Sequence, residues 1–153
     1  MIFINIILNI DGDFMDNMIF EKVISKEYLL VITDKENNIL FKTDASPVSQ
    51  FYKAYYKKEV NLEGKEIFVY ANQVGIALAT LSELETVVGY IGHQVSQPAK
   101  EFIEKKGIEL KYNEEVDLVK SSKDASMVCP IEEGLYNTNT LLDKFNFLEE
   151  KFK

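Results

Sequence analysis

The chain has 153 residues, one cysteine, one histidine, no tryptophan and a formal net charge of −8. That length suits one domain with its own core, and 46% hydrophobic with 27% charged residues is globular rather than disordered composition. One Cys and one His exclude an intrachain disulfide and fall short of the ligands of the usual zinc sites, while the acidic balance opposes binding to nucleic acid.

Met1 to Ile10 are almost all apolar, but the first basic residue is Lys22, and Asp11-Gly12-Asp13 stands where an export signal would place small residues. The run is also too short to span a bilayer. The expectation is a cytoplasmic protein with no membrane partner. Asn5 and Asn9 suit a helix with one polar stripe, and Ile4, Ile6 and Ile7 equally suit a buried strand. Residues 1–15 are set apart as an amino-terminal extension or an added edge strand, and residues 16–153 as a single domain.

From Asp16 the pattern is regular. Met18, Ile19, Val23 and Ile24 recur at helical spacing behind Asp16 and Asn17 as caps. Tyr28 to Ile32 and Ile39 to Phe41, joined by the polar run Asp34 to Asn38, predict an antiparallel hairpin. Ser46-Pro47 opens a helix with Val48, Phe51, Tyr52, Tyr55 and Tyr56 on its apolar face. Glu66 to Tyr70 predicts a strand, 73–83 a helix, and Val87 to Gly92 a strand. A helix opened by Ser96-Gln97-Pro98 closes at Gly107. Ile108 to Tyr112 is one more strand, a short amphipathic piece lies around Val116 to Val119, and a charged helix runs from Thr140. The order predicts an α/β fold with a mixed sheet of about five strands that starts with the hairpin, and with helices on both faces. In such sheets ligands gather beyond the carboxyl ends of the parallel strands. That places a site near Asn72 to Gly75 and near His93 to Gln97.

Several stretches resemble the uncharacterised domain-of-unknown-function family 1893, a branch of the cytidine-deaminase-like fold. They are Tyr28-Leu-Leu-Val-Ile with Ile39-Leu-Phe, Ser96-Gln-Pro-Ala, Gly107-Ile-Glu-Leu-Lys-Tyr and Cys129-Pro-Ile-Glu, spanning roughly Asp16 to Leu142. The resemblance implies a three-layer α-β-α sandwich. Zinc deaminases of this fold open the two helices after the hairpin with His-x-Glu and Pro-Cys-x-x-Cys. Here those positions read Thr43-Asp44-Ala45-Ser46-Pro47 and Ala71-Asn72-Gln73-Val74-Gly75, so neither a metal nor a cofactor is expected. The chain also departs from the family's own pattern: an Asp and a Gly-Lys-Ala run correspond here to Asn72 and Gly75-Ile76-Ala77.

Cys129, followed by Pro130, falls at a helix N-cap, where the dipole and free N–H groups favour a thiolate. A small buried residue ending a loop explains it as well. Glu132 falls in the first turn, where it caps the helix or pairs with a proton donor. His93 is the one histidine able to serve Cys129 as a base, and a surface histidine without duty reads equally. Asn72, Gln73 and Gly75, with His93 and Ser96, are candidate contacts for a small anionic or nucleotide-like ligand at helix amino termini, although capping alone accounts for Asn72. Phe51, Tyr52, Tyr55 and Tyr56 read as core or as a homo-oligomer interface rather than a base-stacking stripe. Glu114, Glu115 and Asp117 form a solvated acidic face. Two functions stand: a zinc-free binding or assembly module without deaminase activity, and a metal-free enzyme with Cys129 as nucleophile.

Overall fold

The computed structural model describes residues 13–121, 126–138 and 140–152. The readings for residues 1–12 and for the loop 122–125 therefore lie outside the described residues. Eleven elements follow one another among the described residues: α1 (Asp13–Ile24), β1 (Leu30–Asp34), β2 (Ile39–Thr43), α2 (Pro47–Tyr56), β3 (Glu66–Val74), α3 (Ile76–Leu84), β4 (Thr86–Ser96), α4 (Gln97–Lys105), β5 (Glu109–Val116), α5 (Pro130–Tyr136) and α6 (Leu141–Phe152).

The five strands form one mixed sheet in the order β2-β1-β3-β4-β5. β1 pairs antiparallel with β2 and with β3, whereas β3–β4 and β4–β5 are parallel. The turn of the hairpin is built by Asp34, whose Oδ1 accepts from Glu36 N and Asn38 N, both at 2.9 Å. Asn37 takes the left-handed conformation there, φ 66°.

The strand order decides which face each helix covers. β3, β4 and β5 advance in one direction, so two right-handed crossovers place α3 and α4 on the same face. α2, α5 and α6 join them, and Phe51, Leu78, Ile103, Leu135 and Leu148 meet Ile32, Ile67, Val69 and Tyr90 of the sheet in one buried cluster. Alternation along the strands sends Val31, Tyr70 and Ile91 to the other face, where α1 covers them with Ile19, Phe20 and Val23. Among the described residues helices thus cover both faces, five on one and α1 on the other. The aromatic run of α2 belongs to the larger core: Phe51 and Tyr52 are buried, with ring centroids 5.0 Å apart and edge-to-face. α6 closes the layer by stacking Phe152 on Tyr52 at 6.0 Å.

Several boundaries differ from the expectation. β3 runs on to Val74 and β4 to Ser96, because the parallel ladder continues through Ala71↔Gly92, Gln73↔Gln94 and Val74↔Val95. The helix expected over 73–83 consequently starts at Ile76. β5 runs on to Val116, into the amphipathic piece read around Val116 to Val119, and Lys120 beyond it forms an isolated antiparallel bridge with Val128. α1 begins at Asp13, ahead of Asp16.

Candidate functional site

The amino-terminal ends of α2 and α3 lie beside each other at the carboxyl end of β3, and residues 119–121 and 129–132 line the same space. Between them is a cavity of about 280 Å³. Its wall includes Ser46 and Ser49 of the α2 opening, Gln73 and Gly75 before α3, and Cys129 and Glu132 at the α5 opening, with Lys120 and Lys151 at its rim.

Glu132 is the most constrained of these side chains, 2% exposed. Its Oε1 accepts from Ile76 N at 3.0 Å and from Ser96 Oγ at 3.1 Å, and Val119 N donates to Oε2 at 3.4 Å. Ile76 is the first residue of α3. Ser96 is the N-cap of α4, its Oγ also accepting from Ala99 N. Glu132 itself lies in the first turn of α5. Three helix amino termini therefore converge on one carboxylate, and their positive ends offset its buried negative charge. Burial raises the pKa of this carboxyl, and the donors Ile76 N, Ser96 Oγ and Val119 N pull it back down.

Gly75 makes this approach available. A Cβ there would lie 2.2 Å from Glu132 Oε2 and 2.9 Å from Val119 Cγ2. Its backbone is extended, so the glycine serves close contact rather than an unusual dihedral.

Gln73 lines the cavity, but its amide is committed. Oε1 accepts from Lys120 N at 2.8 Å and Nε2 donates to Lys120 O at 3.1 Å, so the side chain pairs with the backbone of the covering segment as a strand would. Cys129 is half-buried in the wall, and its thiol makes no capping bond to α5. Ser46 opens α2 in a left-handed conformation, φ 38°, also without a side-chain capping bond.

Two sequence-picked residues lie elsewhere. Asn72, expected at a helix opening, is a buried strand residue whose Nδ2 donates to Val23 O at 2.9 Å, anchoring α1 on the opposite face. Aspartate at this position could not donate that bond. His93, expected just past a strand, is inside β4, where its Nδ1 bonds Asn113 Nδ2 at 2.7 Å, and it does not line the cavity. The structure thus brings Gln73, Gly75, Cys129 and Glu132 to one cavity, with Ser96 bonded behind Glu132, and leaves Asn72 and His93 outside. Ser49, Lys120 and Lys151 were not singled out from sequence. Each lies in a polar helix or loop context that looks like any solvated face.

The acidic face is half-occupied by contacts: Lys100 Nζ meets Glu115 Oε1 at 2.9 Å, and Gln94 bonds Glu114. Among the described residues no group of three or more His, Cys, Asp or Glu side chains is gathered as a metal site would require, and no helix is long and apolar enough to cross a membrane.

The family model described as Domain of unknown function (DUF1893) matches residues 19–152. The chain belongs to that family. A solved DUF1893 family protein from Thermotoga maritima superposes with a TM-score of 0.69 at 22% identity, covering 94% of this chain and 93% of that one. At that identity the match shows a shared fold. No curated protein matches the chain in sequence. For this DUF1893 member the family name carries no activity, so function rests on the cavity itself.

Proposed function

We propose that this chain is a binding domain for a small anionic, nucleotide-like molecule, housed in the cavity between α2 and α3, and that it works without deaminase chemistry. The observation that carries the reading is the meeting of two helix openings at one cavity. Ser46 at the opening of α2 makes no side-chain capping bond, the opening of α3 reaches the same cavity at Gly75, and Lys120 and Lys151 belong to its lining. Val48, Ala77, Val119 and Ile131 supply an apolar surface for the rest of the ligand. The volume is near the lower end of the range for small-molecule sites, roughly 300 Å³, which favours a sugar phosphate or single nucleoside over a dinucleotide.

The two stretches where a deaminase-like fold would carry zinc ligands border this cavity through Ser46, Pro47, Gln73 and Gly75, none of them a metal ligand by chemistry. Cys129 and Glu132 line the same wall, but among the described residues no group of three or more such side chains gathers to hold a zinc ion that would activate a water.

A thermal-unfolding panel of inorganic phosphate, sugar phosphates and nucleoside monophosphates tests the proposal. A ligand at a hundred times its dissociation constant stabilises by about 2.7 kcal/mol, and the response should shrink in Lys120→Ala and Lys151→Ala. A flat panel overturns it.

Cys129 in the same wall favours a second reading, a metal-free enzyme with Cys129 as nucleophile and Glu132 beside it. It has less behind it, because Glu132 already receives three hydrogen bonds and His93 is spent on Asn113. Iodoacetamide alkylation of Cys129 at rates no faster than free cysteine would sink it.

A further inference from the structure

α2 and α3 have a second shared end. Opposite their openings, the carboxyl ends of the two helices border a cavity of about 430 Å³ lined by Tyr55, Tyr56, Lys58, Asn61, Glu63 and Glu85, among others. We propose that this cavity is a site for a small organic cation of the quaternary-ammonium class.

The charge balance is the first argument. Helix carboxyl ends carry negative partial charge, and here two border one cavity. Glu85 sits at the C-cap of α3, where the dipole disfavours a carboxylate. The Tyr55 hydroxyl donates to Glu85 Oε2 at 2.6 Å, and among the described residues no lysine pairs with this carboxylate. Neighbouring Glu83, by contrast, is neutralised by Lys106 at 2.7 Å. Glu63 adds a second carboxylate to the lining, against one lysine, Lys58, whose exposed side chain keeps its ammonium in water.

The aromatic geometry is the second argument. Tyr55 and Tyr56 meet edge-to-face at 76° with centroids 5.4 Å apart. Each has one ring face stacked within α2, Tyr55 on Phe51 at 5.6 Å and Tyr56 on Tyr52 at 5.9 Å. Both rings line the cavity with the Glu85 carboxylate, and a weakly hydrated cation there would meet aromatic surface and a fixed negative charge together. Burial and the adjacent Glu85 keep the Tyr55 phenol protonated, so it remains a donor to that carboxylate. A hard divalent ion would instead need more oxygen ligands than two carboxylates and a phenol provide.

Eight tyrosines and no tryptophan make tyrosine emission a direct reporter. Tetramethylammonium chloride titrated into the full chain should give a saturable change in emission and a rise in melting temperature that sodium chloride at matched ionic strength does not. Glu85→Gln, a surface-compatible change, should weaken the response by roughly tenfold, and Tyr55→Phe, which keeps the ring, should weaken it less than Tyr55→Leu. Superimposable tetramethylammonium and sodium titrations, or a Glu85→Gln chain that titrates like the parent, would overturn the assignment. Both outcomes are independent of the phosphate and nucleotide panel at the first cavity.

Discussion

Glu132 and Ile76, 56 residues apart in the chain, are joined by a hydrogen bond of 3.0 Å from the backbone N–H that begins α3 to a carboxylate in the first turn of α5. This contact fixes where the carboxyl-terminal third of the molecule sits on the sheet, and with it the wall of the first cavity.

Gly75→Ala tests the closeness of that approach. The added methyl would meet Glu132 Oε2 at 2.2 Å, so the carboxylate or α5 must move. Overpacking of this kind costs about 1–3 kcal/mol, measured by urea unfolding. The double variant Gly75→Ala with Glu132→Ala should cost less than the sum of the two single changes, because one clash and one set of bonds are shared. Additive costs would show that the two residues do not compete for space.

The pH dependence of Glu132 has a definite sign. Its carboxyl pKa is raised above 4.5 in the folded chain, so folding favours the protonated form. Its charge opposes folding at neutral pH, and that opposition is relieved as the pH falls through the raised value toward the ordinary one. The parent chain should therefore gain stability relative to Glu132→Gln on going from about pH 7 to about pH 5. Asp34, whose pKa is lowered by the Asn38 side chain and backbone, contributes in the opposite sense and is common to both chains. Unfolding curves of the pair at the two pH values decide it; a parallel response contradicts the sign.

Ser96 serves two partners, accepting from Ala99 N and donating to Glu132 Oε1. Ser96→Ala removes the α4 cap and a donor to a buried carboxylate, and should cost about 1–3 kcal/mol. Ser96→Thr keeps both hydroxyl functions and should recover most of the loss in the same unfolding measurement.

Asn72→Asp replaces the donor to Val23 O with a carboxylate facing a carbonyl in a buried position. The expected loss is about 3 kcal/mol or more at neutral pH, with faster hydrogen exchange across α1. Exchange confined to the α2–α6 face would contradict the placement of Asn72 under α1.

The hairpin, the parallel crossovers and the Ser96 cap were legible because each is encoded locally: a polar turn between apolar runs, alternating strand and helix periods, a hydroxyl before proline. Cys129-Pro130 likewise marked a helix opening. Asn72 and Gln73 misled, since polar residues at the end of an apolar run look like a cap. Their amides instead serve long-range partners, Val23 and Lys120, that let the strand continue. Glu132 was visible as a first-turn acid, yet its service to α3 rather than α5 depends on a tertiary contact with no local trace. His93 kept its sequence neighbourhood but lost its expected role to Asn113 on the adjacent strand.

The stacking of Phe152 on Tyr52 has a consequence for biosynthesis. On a ribosome the sheet and its crossover helices emerge first, while Leu148 and Phe152, both buried in the larger core, are made after them. Until residues 141–152 clear the exit tunnel, the Tyr52 face of α2 stays open to water, so a stalled nascent chain should present a sticky aromatic surface to chaperones that the released protein hides.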